Sequence, residues 1–511
     1  MLEEERKYDV DPEFTLPDLS AVLPDGVRVV ELPPVTLTAT YLDTTDLRLA
    51  RAGVSLRHRK GDELPWTVKL PAGSPGVRHE ISRTGRPKTV PADLVALVTA
   101  YSRGAELKPA AVVRTVRRAY ELRDGADRTL AELADDAVQV RDGKQVRSTF
   151  REIEVERKDG GRDLLDAVES ALTGAGARTG AFTPKHVRAL GATAEAAPDL
   201  VPPGELPERP SAGDVVTAAV RRSVGRVLAH DPLVRLRAPV GDDDTAVHQM
   251  RVGCRRLRSD LRTFGPLVRT AWAKPLRDEL KWLAGVLGQA RDAEVLRARL
   301  SRTAAADPLS PLDPAAVERM DRVLADRHST ALTEVDEALG SARYHALVEA
   351  LVDATRTPQL TARADGPAEE VLPRLVARPW HRLTDGDDEV EVDGAADLDP
   401  AAPDERWHAV RINGKRARYA VDAVAGVLGG DPAKLARALA KVQDVLGEHQ
   451  DAAVAAETWL SIAEQDPADH AVAVTAGRLV ERERVAVRAA RVAFPEAWRR
   501  ASRGRRTAWL G

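Results

Sequence analysis

Hydrophobic and polar residues alternate with two different periods along this 511-residue chain, and the change falls near residue 190. Before it, short runs alternate apolar and polar side chains at every second residue, which is typical of β-strands. After residue 212, apolar residues recur every three or four positions, which is typical of amphipathic helices. The pattern predicts an α+β multidomain protein, with a β-domain at 1–190 and a helical domain at 213–511.

The amino-terminal pattern predicts eight strands separated by turn sequences, at 3–10, 35–43, 53–60, 65–70, 77–84, 111–123, 128–140 and 145–158. Short helices are expected near 91–101 and 162–174. Charged residues share one face on seven strands, because side chains on a strand repeat every two residues. A sheet wet on one side and a closed antiparallel barrel with a charged lumen both explain this alternation. The mixture of both charge signs favours the barrel.

A stretch rich in Ala and Pro, 191–212, is interpreted as a semi-rigid linker. The pattern after it predicts helices at 213–230, 245–263, 267–288, 290–302, 314–337, 342–353, 367–378, 404–427, 432–447, 450–464 and 469–491. This region repeats itself, since the step from His248 to His408 is 160 residues. The two repeats cover about 213–355 and 365–511.

A second match, Leu-Gly-x-x-x-Asp, recurs in the two repeats at a step of 159 residues. Its glycines, Gly288 and Gly447, predict either a close helix approach or a helix break. Its aspartates, Asp292 and Asp451, are interpreted as caps of the following helices in preference to partners that orient a basic residue.

Two of the predicted helices carry a stripe of basic residues along one face. At about 100° per residue, the first stripe gathers within a narrow sector His248, Arg251, Arg255, Arg258 and Arg262. The second repeats the spacing with His408, Arg411, Lys415 and Arg418. Like charges at these spacings repel one another, so a polyanion is expected to offset the cost. Nucleic acid is the main rival ligand, but few aromatic residues are available to stack bases and no recognition motif is evident.

Composition narrows the class of protein. Aromatic residues make up 4% and charged residues 30%, as expected of a largely helical globular protein. No apolar run approaches the roughly 18 residues of a membrane span, the amino terminus is acidic, and Cys254 is the single cysteine, so a cytoplasmic protein is expected. The net charge of −3 conceals an acidic segment, 384–405, that has ten acidic residues and no basic one.

The motifs of residues 1–190 resemble, in this order, the CYTH domain of the triphosphate tunnel metalloenzymes. They are Glu-x-Glu-x-Lys at 3–7, YLDTTDLRLARAGVSLRHR at 41–59, WTVKLP at 66–71, RHE at 78–80, the Arg114/Arg118 pair, EIEVE at 152–156 and PKH at 184–186. The segment ELADDAV at 132–138 departs from the family, which usually has Gly where Val138 stands.

The resemblance implies an eight-stranded tunnel that binds triphosphate and hydrolyses it with Mg²⁺ or Mn²⁺. The phosphate-binding residues would be Lys7, Arg57, Arg59, Lys69, Arg114, Arg118 and Lys185. The residues that hold metal or position water would be Glu3, Glu5, Glu80, Asp136, Glu152, Glu154 and Glu156. Asp136 is preferred to Asp135 because it shares strand parity with Glu132.

The helical region is similar to the CHAD domain, through HxxRVxxRRLRxxLxxF at 248–264 and HxxRxxxKRxRY at 408–419. That family is an α-helical bundle with pseudo-twofold symmetry, and the resemblance implies that the two basic stripes bind inorganic polyphosphate. Three hypotheses remain for the amino-terminal domain: a metal-dependent triphosphatase, a non-catalytic polyphosphate sensor or granule tether, and a nucleotidyl cyclase. The nearly complete set of charged residues favours the first.

Overall fold

The computed structural model describes residues 2–73, 76–179, 183–241, 244–387 and 392–510. The chain forms two compact units, 1–199 and 200–511. Part of the acidic segment 384–405, residues 388–391, lies outside the described residues. Within the described ranges, no helix combines the length and the apolar character needed to cross a bilayer.

The first unit is built on an antiparallel sheet that closes on itself. Its strands are β1 (Leu2–Val10), β2 (Arg28–Glu31), β3 (Val35–Asp43), β4 (Ser55–Lys60), β5 (Trp66–Pro71), β6 (Val77–Arg83), β7 (Lys108–Arg123), β8 (Thr129–Asp142) and β9 (Gln145–Arg157). The barrel order is β7-β3-β4-β5-β6-β1-β9-β8, and β8 pairs again with β7. The predicted closed eight-stranded barrel is confirmed.

Strand β2 was not predicted from the sequence. It pairs with the same edge of β7 as β3 does. Strand β2 therefore extends β3 along β7 and is not a ninth strand of the barrel. Between them the Leu32 amide still donates to the Ala119 carbonyl at 2.9 Å. Pro33 and Pro34 then interrupt the pairing, because proline has no N–H to donate to a strand ladder.

The helices of this unit are α1 (Arg48–Arg51), α2 (Ala92–Leu97), α3 (Thr99–Ser102), α4 (Arg162–Gly174) and α5 (Lys185–Leu190). The apolar face of α4 covers the outer face of β1, β8 and β9 and forms a core with Tyr8, Leu133, Ile153 and Val155. These strand residues alternate with the charged ones, so burying them outside turns the charged positions into the lumen. This explains why the sequence alternates charge with apolar residues.

The second unit is helical. It comprises α6 (Ala212–Leu236), α7 (Ala246–Thr263), α8 (Thr270–Ala305), α9 (Pro314–Gly340), α10 (Ala342–Arg356), α11 (Ala368–Thr384), a short hairpin of β10 (Gly386–Asp387) and β11 (Val392–Asp393), α12 (Asp404–Leu428), α13 (Gly430–Ala463), α14 (His470–Ala501) and α15 (Gly504–Thr507). Helices α6 to α9 correspond in order to α11 to α14, as the repeat predicts. The two helices that carry the basic stripes, α7 and α12, contact each other.

Helices α8 and α13 each run through a position where the sequence predicted a possible break. Gly288 and Gly447 lie inside these helices, so the predicted division into 267–288 and 290–302, and into 432–447 and 450–464, is wrong. The predicted capping role of the aspartates is also wrong, because no helix begins there. Asp292 instead lies 3.6 Å from Arg251, and Asp451 lies 3.9 Å from Arg411. The alternative interpretation, in which each aspartate faces a basic residue of the stripe, describes the structure.

The Ala- and Pro-rich stretch 191–212 divides between the two units. Asp199 belongs to the first unit, where it pairs with Arg51 at 2.7 Å and with Arg103 at 2.6 Å. Two residues later the Val201 amide donates to the Thr355 hydroxyl at 3.2 Å inside the second unit.

Candidate functional site

The lumen of the barrel contains a cavity of about 200 Å³ lined by charged side chains of both signs. The basic residues that line it are Lys7, Arg57, Arg59, Lys69, Arg78, Arg117 and Lys185, and the acidic ones are Glu3, Glu5, Glu80, Glu132, Glu154 and Glu156. Two further carboxylates from the same strand faces, Asp136 and Glu152, are buried behind this surface. Opposite charges therefore meet in one small water-accessible space.

Basic and acidic side chains line different sides of the barrel. On β7, β4 and β5 the charged residues that line the cavity are basic: Arg117, Arg57, Arg59 and Lys69. From β6 through β1 and β9 to β8 the carboxylates predominate, and Arg78 and Lys7 are the basic residues that line the cavity on this side. The lumen thus has a basic wall and an acidic wall that face each other.

Three carboxylates of the acidic wall lie side by side on neighbouring strands. Glu5 of β1 is directly opposite Glu156 of β9, and Glu156 is directly opposite Glu132 of β8. Like charges at directly opposed positions destabilise a sheet. Lys158 offsets part of this repulsion, because its ammonium bonds Glu156 and lies 4.0 Å from Glu132. Carboxylate oxygens are also the ligands that Mg²⁺ and Mn²⁺ prefer.

Lys185, at the start of α5, contacts three carboxylates of the acidic wall. Its ammonium lies 2.7 Å from Asp136, 2.9 Å from Glu152 and 2.9 Å from Glu154. Burial opposes the charge on Lys185, but these carboxylates outweigh it and raise the pKa of the ammonium. Burial likewise opposes charge on Asp136 and Glu154, yet Lys185 and Arg117 hold the pKa of both carboxyls below the usual value. The opposite charges of Lys185, Asp136 and Glu154 therefore stabilise one another.

Glu3 and Glu80 share Lys69, whose ammonium lies 2.6 Å from Glu3 and 2.9 Å from Glu80. Burial, together with repulsion from Glu5 and Glu80, raises the pKa of Glu3 to about 7. Burial works against ionisation of Glu80 as well, but Lys69 and Arg57 hold the pKa of Glu80 at about 2. One carboxyl of this pair therefore titrates near neutral pH while the other stays ionised.

Two of the arginines predicted in the tunnel face the other way. Arg114 and Arg118 are opposite Gln139 and Asp135 of β8, whereas Arg117 is opposite Asp136, whose side chain faces the lumen. Since faces alternate along a strand, Arg114 and Arg118 point outward, and placing them in the tunnel is wrong. Arg117 takes their place and pairs with Asp136 at 2.7 Å and with Glu154 at 3.0 Å.

The parity argument for Asp136 agrees with the structure, since Asp135 lies on the outer face and pairs with Arg151 at 2.7 Å. The other predicted tunnel residues line the cavity or, as with Glu152, lie directly behind it. Besides Arg117, the lining residues that the sequence interpretation did not place in the site include Glu132, Arg78, Tyr41 and His186. Arg78 had a signal, because it shares a strand face with Glu80. His186 belongs to the PKH motif, but strand parity could not place it, since its position is set by the start of α5.

A divalent cation fits the donor chemistry of the acidic wall. Among the residues that the structure describes, no three carboxylates converge closely enough to form a coordination site. The ion pairs explain this, because lysine ammoniums hold the oxygens that a cation would need. Glu5, Glu132 and Glu156 are the residues that would hold Mg²⁺ or Mn²⁺. In the described part of the chain, the ion pairs found for this row are those of Lys7, 3.6 Å from Glu5, and of Lys158.

The second unit contains a larger basic cavity of about 700 Å³, here called the central groove. Helices α7 and α12 supply most of its walls, through His248, Arg251, Arg255, Arg258, Arg262, His408, Arg411 and Lys415. Helix α8 adds Arg277 and Arg291, and α12 adds Arg416, none of which the sequence interpretation identified. The acidic residues among the described lining are Asp292 and Asp451. The two predicted stripes therefore form one strongly positive surface.

Burial and mutual repulsion both disfavour positive charge in the central groove. Burial, followed by repulsion from Arg255, Arg411 and Arg251, lowers the pKa of Lys415 to about 7. Burial and neighbouring cations also lower the pKa of the guanidiniums of Arg251, Arg258, Arg262 and Arg411. A bound polyanion would remove this repulsion, because it would supply the missing negative charge.

Arg418 is the one predicted member of the stripes that does not line the central groove. Its guanidinium donates to Gln443 at 2.7 Å and lies 3.6 Å from Asp422. Asp422 lies one turn further along α12 and Gln443 lies on α13, so the Arg418 side chain is held between these two helices. The prediction that Arg418 belongs to the basic surface is therefore wrong.

A charged antiparallel tunnel and a two-repeat helical unit with a basic groove define a two-domain architecture, and family models match each part. Residues 1–177 match the CYTH domain and residues 218–460 match the CHAD domain. The chain belongs to the family of proteins that join a CYTH domain to a CHAD domain.

Relatives cover nearly the whole chain. Uncharacterised proteins from two strains of Mycobacterium tuberculosis are each 35% identical over 486 residues, which is 89% of this chain and 88% of theirs. Among solved structures, PptA from Streptomyces chartreusis is 27% identical, matching 57% of this chain and 99% of its own with a TM-score of 0.47.

Proposed function

We propose that the barrel is a divalent-metal-dependent hydrolase of inorganic triphosphate, or of a related triphosphate, and that the helical unit binds inorganic polyphosphate. The observation that carries the proposal is the sorting of charge in the lumen. A basic wall faces an acidic wall across a cavity of about 200 Å³. Anionic phosphates need the first wall and a cation needs the second, so the two together fit a metal–triphosphate complex.

Different residues of the lumen bind phosphate, hold the metal and exchange a proton. Arg57, Arg59 and Arg117 bind the phosphoryl oxygens from the basic wall, with bidentate guanidinium contacts that fix the orientation of the chain. Glu5, Glu132 and Glu156 hold Mg²⁺ or Mn²⁺, which would withdraw charge from the phosphates and make water more acidic. Glu3, with a pKa of about 7, can take up and release a proton near neutral pH.

The central groove supports the polyphosphate part of the proposal. Nine Arg or Lys residues and two histidines line it, against two aspartates. A surface of this kind binds a linear polyanion by releasing counterions. The apolar lining is Val295, Leu296, Ile412 and Val454, and Tyr419 is the one tyrosine, tryptophan or phenylalanine in the described lining, which offers little surface for stacking nucleic-acid bases. Association of the protein with polyphosphate granules in the cytoplasm follows from this proposal.

The direct test is to incubate the full chain with tripolyphosphate, ATP or long polyphosphate in Mg²⁺ or Mn²⁺, and to follow free phosphate and cyclic nucleotide. Release of phosphate from tripolyphosphate supports the hydrolase. Cyclic nucleotide from ATP would instead favour a cyclase. If none of the three substrates is consumed while polyphosphate is still retained, the barrel is a non-catalytic sensor or tether.

Matched variants assign each activity to its site. Glu5→Gln should abolish hydrolysis, whereas Glu4→Gln, on the outer face and paired with Arg157 and Arg162, should leave it unchanged. Arg251→Glu combined with Arg411→Glu should abolish polyphosphate retention and spare hydrolysis. The control with equal charge change is Arg302→Glu with Arg327→Glu, two exposed residues away from the groove. Loss of both activities in the groove variant alone would argue against two separable sites.

A further inference from the structure

A second basic cavity opens at one end of the central groove. This second chamber has a volume of about 650 Å³ and lies among α7, α11 and α12. It shares Ser259, Arg262 and Arg416 with the groove, so the two spaces have a common wall. Its own basic residues include Arg378 and Arg382 of α11, which are exposed and one helical turn apart, and Asp385 is the acidic residue in its described lining.

The cations of the two spaces act on one another. After burial, the largest influences that lower the pKa of Arg262 are repulsion from Arg277 in the groove and from Arg382 in the chamber. Arg262 and Arg277 in turn lower the pKa of Arg258. Positive potential is therefore continuous from the groove into the chamber, and an anion that occupies the first is attracted to the second.

The internal repeat provides a counterpart of the second chamber, and that counterpart is nearly closed. The N-caps of α6 and α11, Ser211 and Pro367, are 156 residues apart, so Arg378 corresponds to Arg222; at the 160-residue step of the basic stripes, Arg416 corresponds to Arg256. Both Arg222 and Arg256 line a cavity among α6, α7 and α12, but its volume is only about 110 Å³. The two ends of the helical unit therefore differ although they descend from the same pattern.

The repeats differ in two acidic residues at this place, and one of them, Asp260, lines the small cavity where the second repeat has Ala420. The counterpart of Arg262 is Asp422, whose carboxylate lies 3.1 Å from Arg256 and 3.6 Å from Arg418. These ion pairs offset the charge of Arg256 and Arg418. At the other end Arg262 remains basic and lines both spaces. The basic surface therefore ends at Asp422 in one repeat, whereas in the other it continues past Arg262 into the second chamber.

We propose that the second chamber is a further binding subsite for linear condensed phosphate, and that it makes the helical unit select long chains over short ones. The inference rests on the proposed polyphosphate-binding function of the central groove. From His248 to Arg262 the stripe on α7 extends for about 21 Å, at about 1.5 Å per residue. A short chain is accommodated there, whereas a long chain continues past Arg262 to Arg378 and Arg382.

The experiment compares the full chain with two charge-matched variants, using tripolyphosphate and long-chain polyphosphate as ligands without divalent cations; the Arg251→Glu/Arg411→Glu variant measures the tripolyphosphate that the barrel binds by itself, and this contribution is subtracted. The first variant is Arg378→Glu with Arg382→Glu. The second is Arg222→Glu with Arg226→Glu, two exposed arginines of the counterpart cavity. Affinity is measured by calorimetry over a range of salt concentrations, and circular dichroism verifies that both variants are folded.

The chamber variant should bind long chains about tenfold or more weakly than the unaltered protein and with a shallower salt dependence, because fewer phosphates are contacted. Its affinity for tripolyphosphate should stay within about twofold, and the Arg222/Arg226 variant should retain both affinities. Equal binding of long chains by all three proteins would overturn the subsite and leave the groove in place. If the unaltered protein binds neither ligand, the function proposed for the groove itself is wrong.

Discussion

The ammonium of Lys185 lies 2.7 Å from the carboxylate of Asp136, a side chain with no exposure to solvent. The same ammonium contacts Glu152 and Glu154 at 2.9 Å. A buried lysine with three carboxylate partners is both a candidate phosphate ligand and a structural counter-ion. The two roles make different predictions about stability and activity.

Replacing Lys185 with Met should destabilise the barrel by about 3 kcal/mol at neutral pH, because buried carboxylates lose a compensating charge. The pKa values of Asp136 and Glu154, now held low, should then rise. These groups will take up protons as the pH falls towards 4, so the stability deficit should shrink with acidification. Urea unfolding of both proteins between pH 4 and 8 measures this trend. A deficit that is independent of pH would contradict the counter-ion role.

The register of β7 predicts opposite outcomes at two adjacent residues. Arg117→Gln should reduce kcat/KM for tripolyphosphate by about 100-fold or more, since it removes a charged group from the basic wall. Arg118→Gln should change it by less than about twofold, because Arg118 is exposed on the outer face. Steady-state kinetics of the two variants provides the comparison. The reverse order of effects would mean that the strand is assigned to the wrong face.

Lys415 should make polyphosphate binding depend on pH. Its pKa of about 7 means that the free protein loses this charge above neutrality, whereas a bound polyanion favours the ammonium. Affinity should therefore fall between pH 7 and 9, by at most about tenfold per pH unit for one proton. Lys415→Arg keeps its charge throughout this range and should bind with a flatter pH profile. The phosphate groups of the ligand titrate in the same way in both experiments. Equal slopes of affinity against pH for the two proteins would therefore exclude Lys415 as the cause.

Asp292 and Asp451 should weaken anion binding rather than stabilise helix ends. Changing both to Asn removes two negative charges from the central groove and should tighten polyphosphate binding by about threefold to tenfold. The melting temperature should hardly change, because neither residue caps a helix. A fall in melting temperature typical of a lost cap, about 1 kcal/mol per site, would restore the capping interpretation.

Strand parity made much of the barrel predictable from the sequence. Glu3, Glu5 and Lys7 alternate with Tyr8 and its neighbours, and both faces follow once the apolar one is buried. The arginines of β7 escaped this argument because Arg114, Arg117 and Arg118 occupy both parities of a 16-residue strand. Only pairing with β8 decides which of them enters the lumen. His186 depends on where α5 begins, and no periodic pattern encodes that.

In the helical unit, the sequence predicts the internal repeat but not the residues that depart from it. Arg418 fits the stripe by spacing but does not line the groove, and its side chain is held by Asp422 and Gln443. Gly288 was read as a possible break, yet α8 continues through it with the Arg251 guanidinium 3.4 Å from where a Cβ would stand. These outcomes depend on neighbours from other parts of the chain, which helical periodicity alone does not reveal.

The exchange of Arg262 for Asp422 between the repeats has a consequence for the polymer itself. A linear polyphosphate has two equivalent ends and no direction of its own. A path that is blocked at one end by Asp422 and Arg256, and continues at the other past Arg262, confers a direction on such a chain. One terminus would be enclosed and the other would extend past Arg262, so the protein would determine on which side of the helical unit the free end emerges.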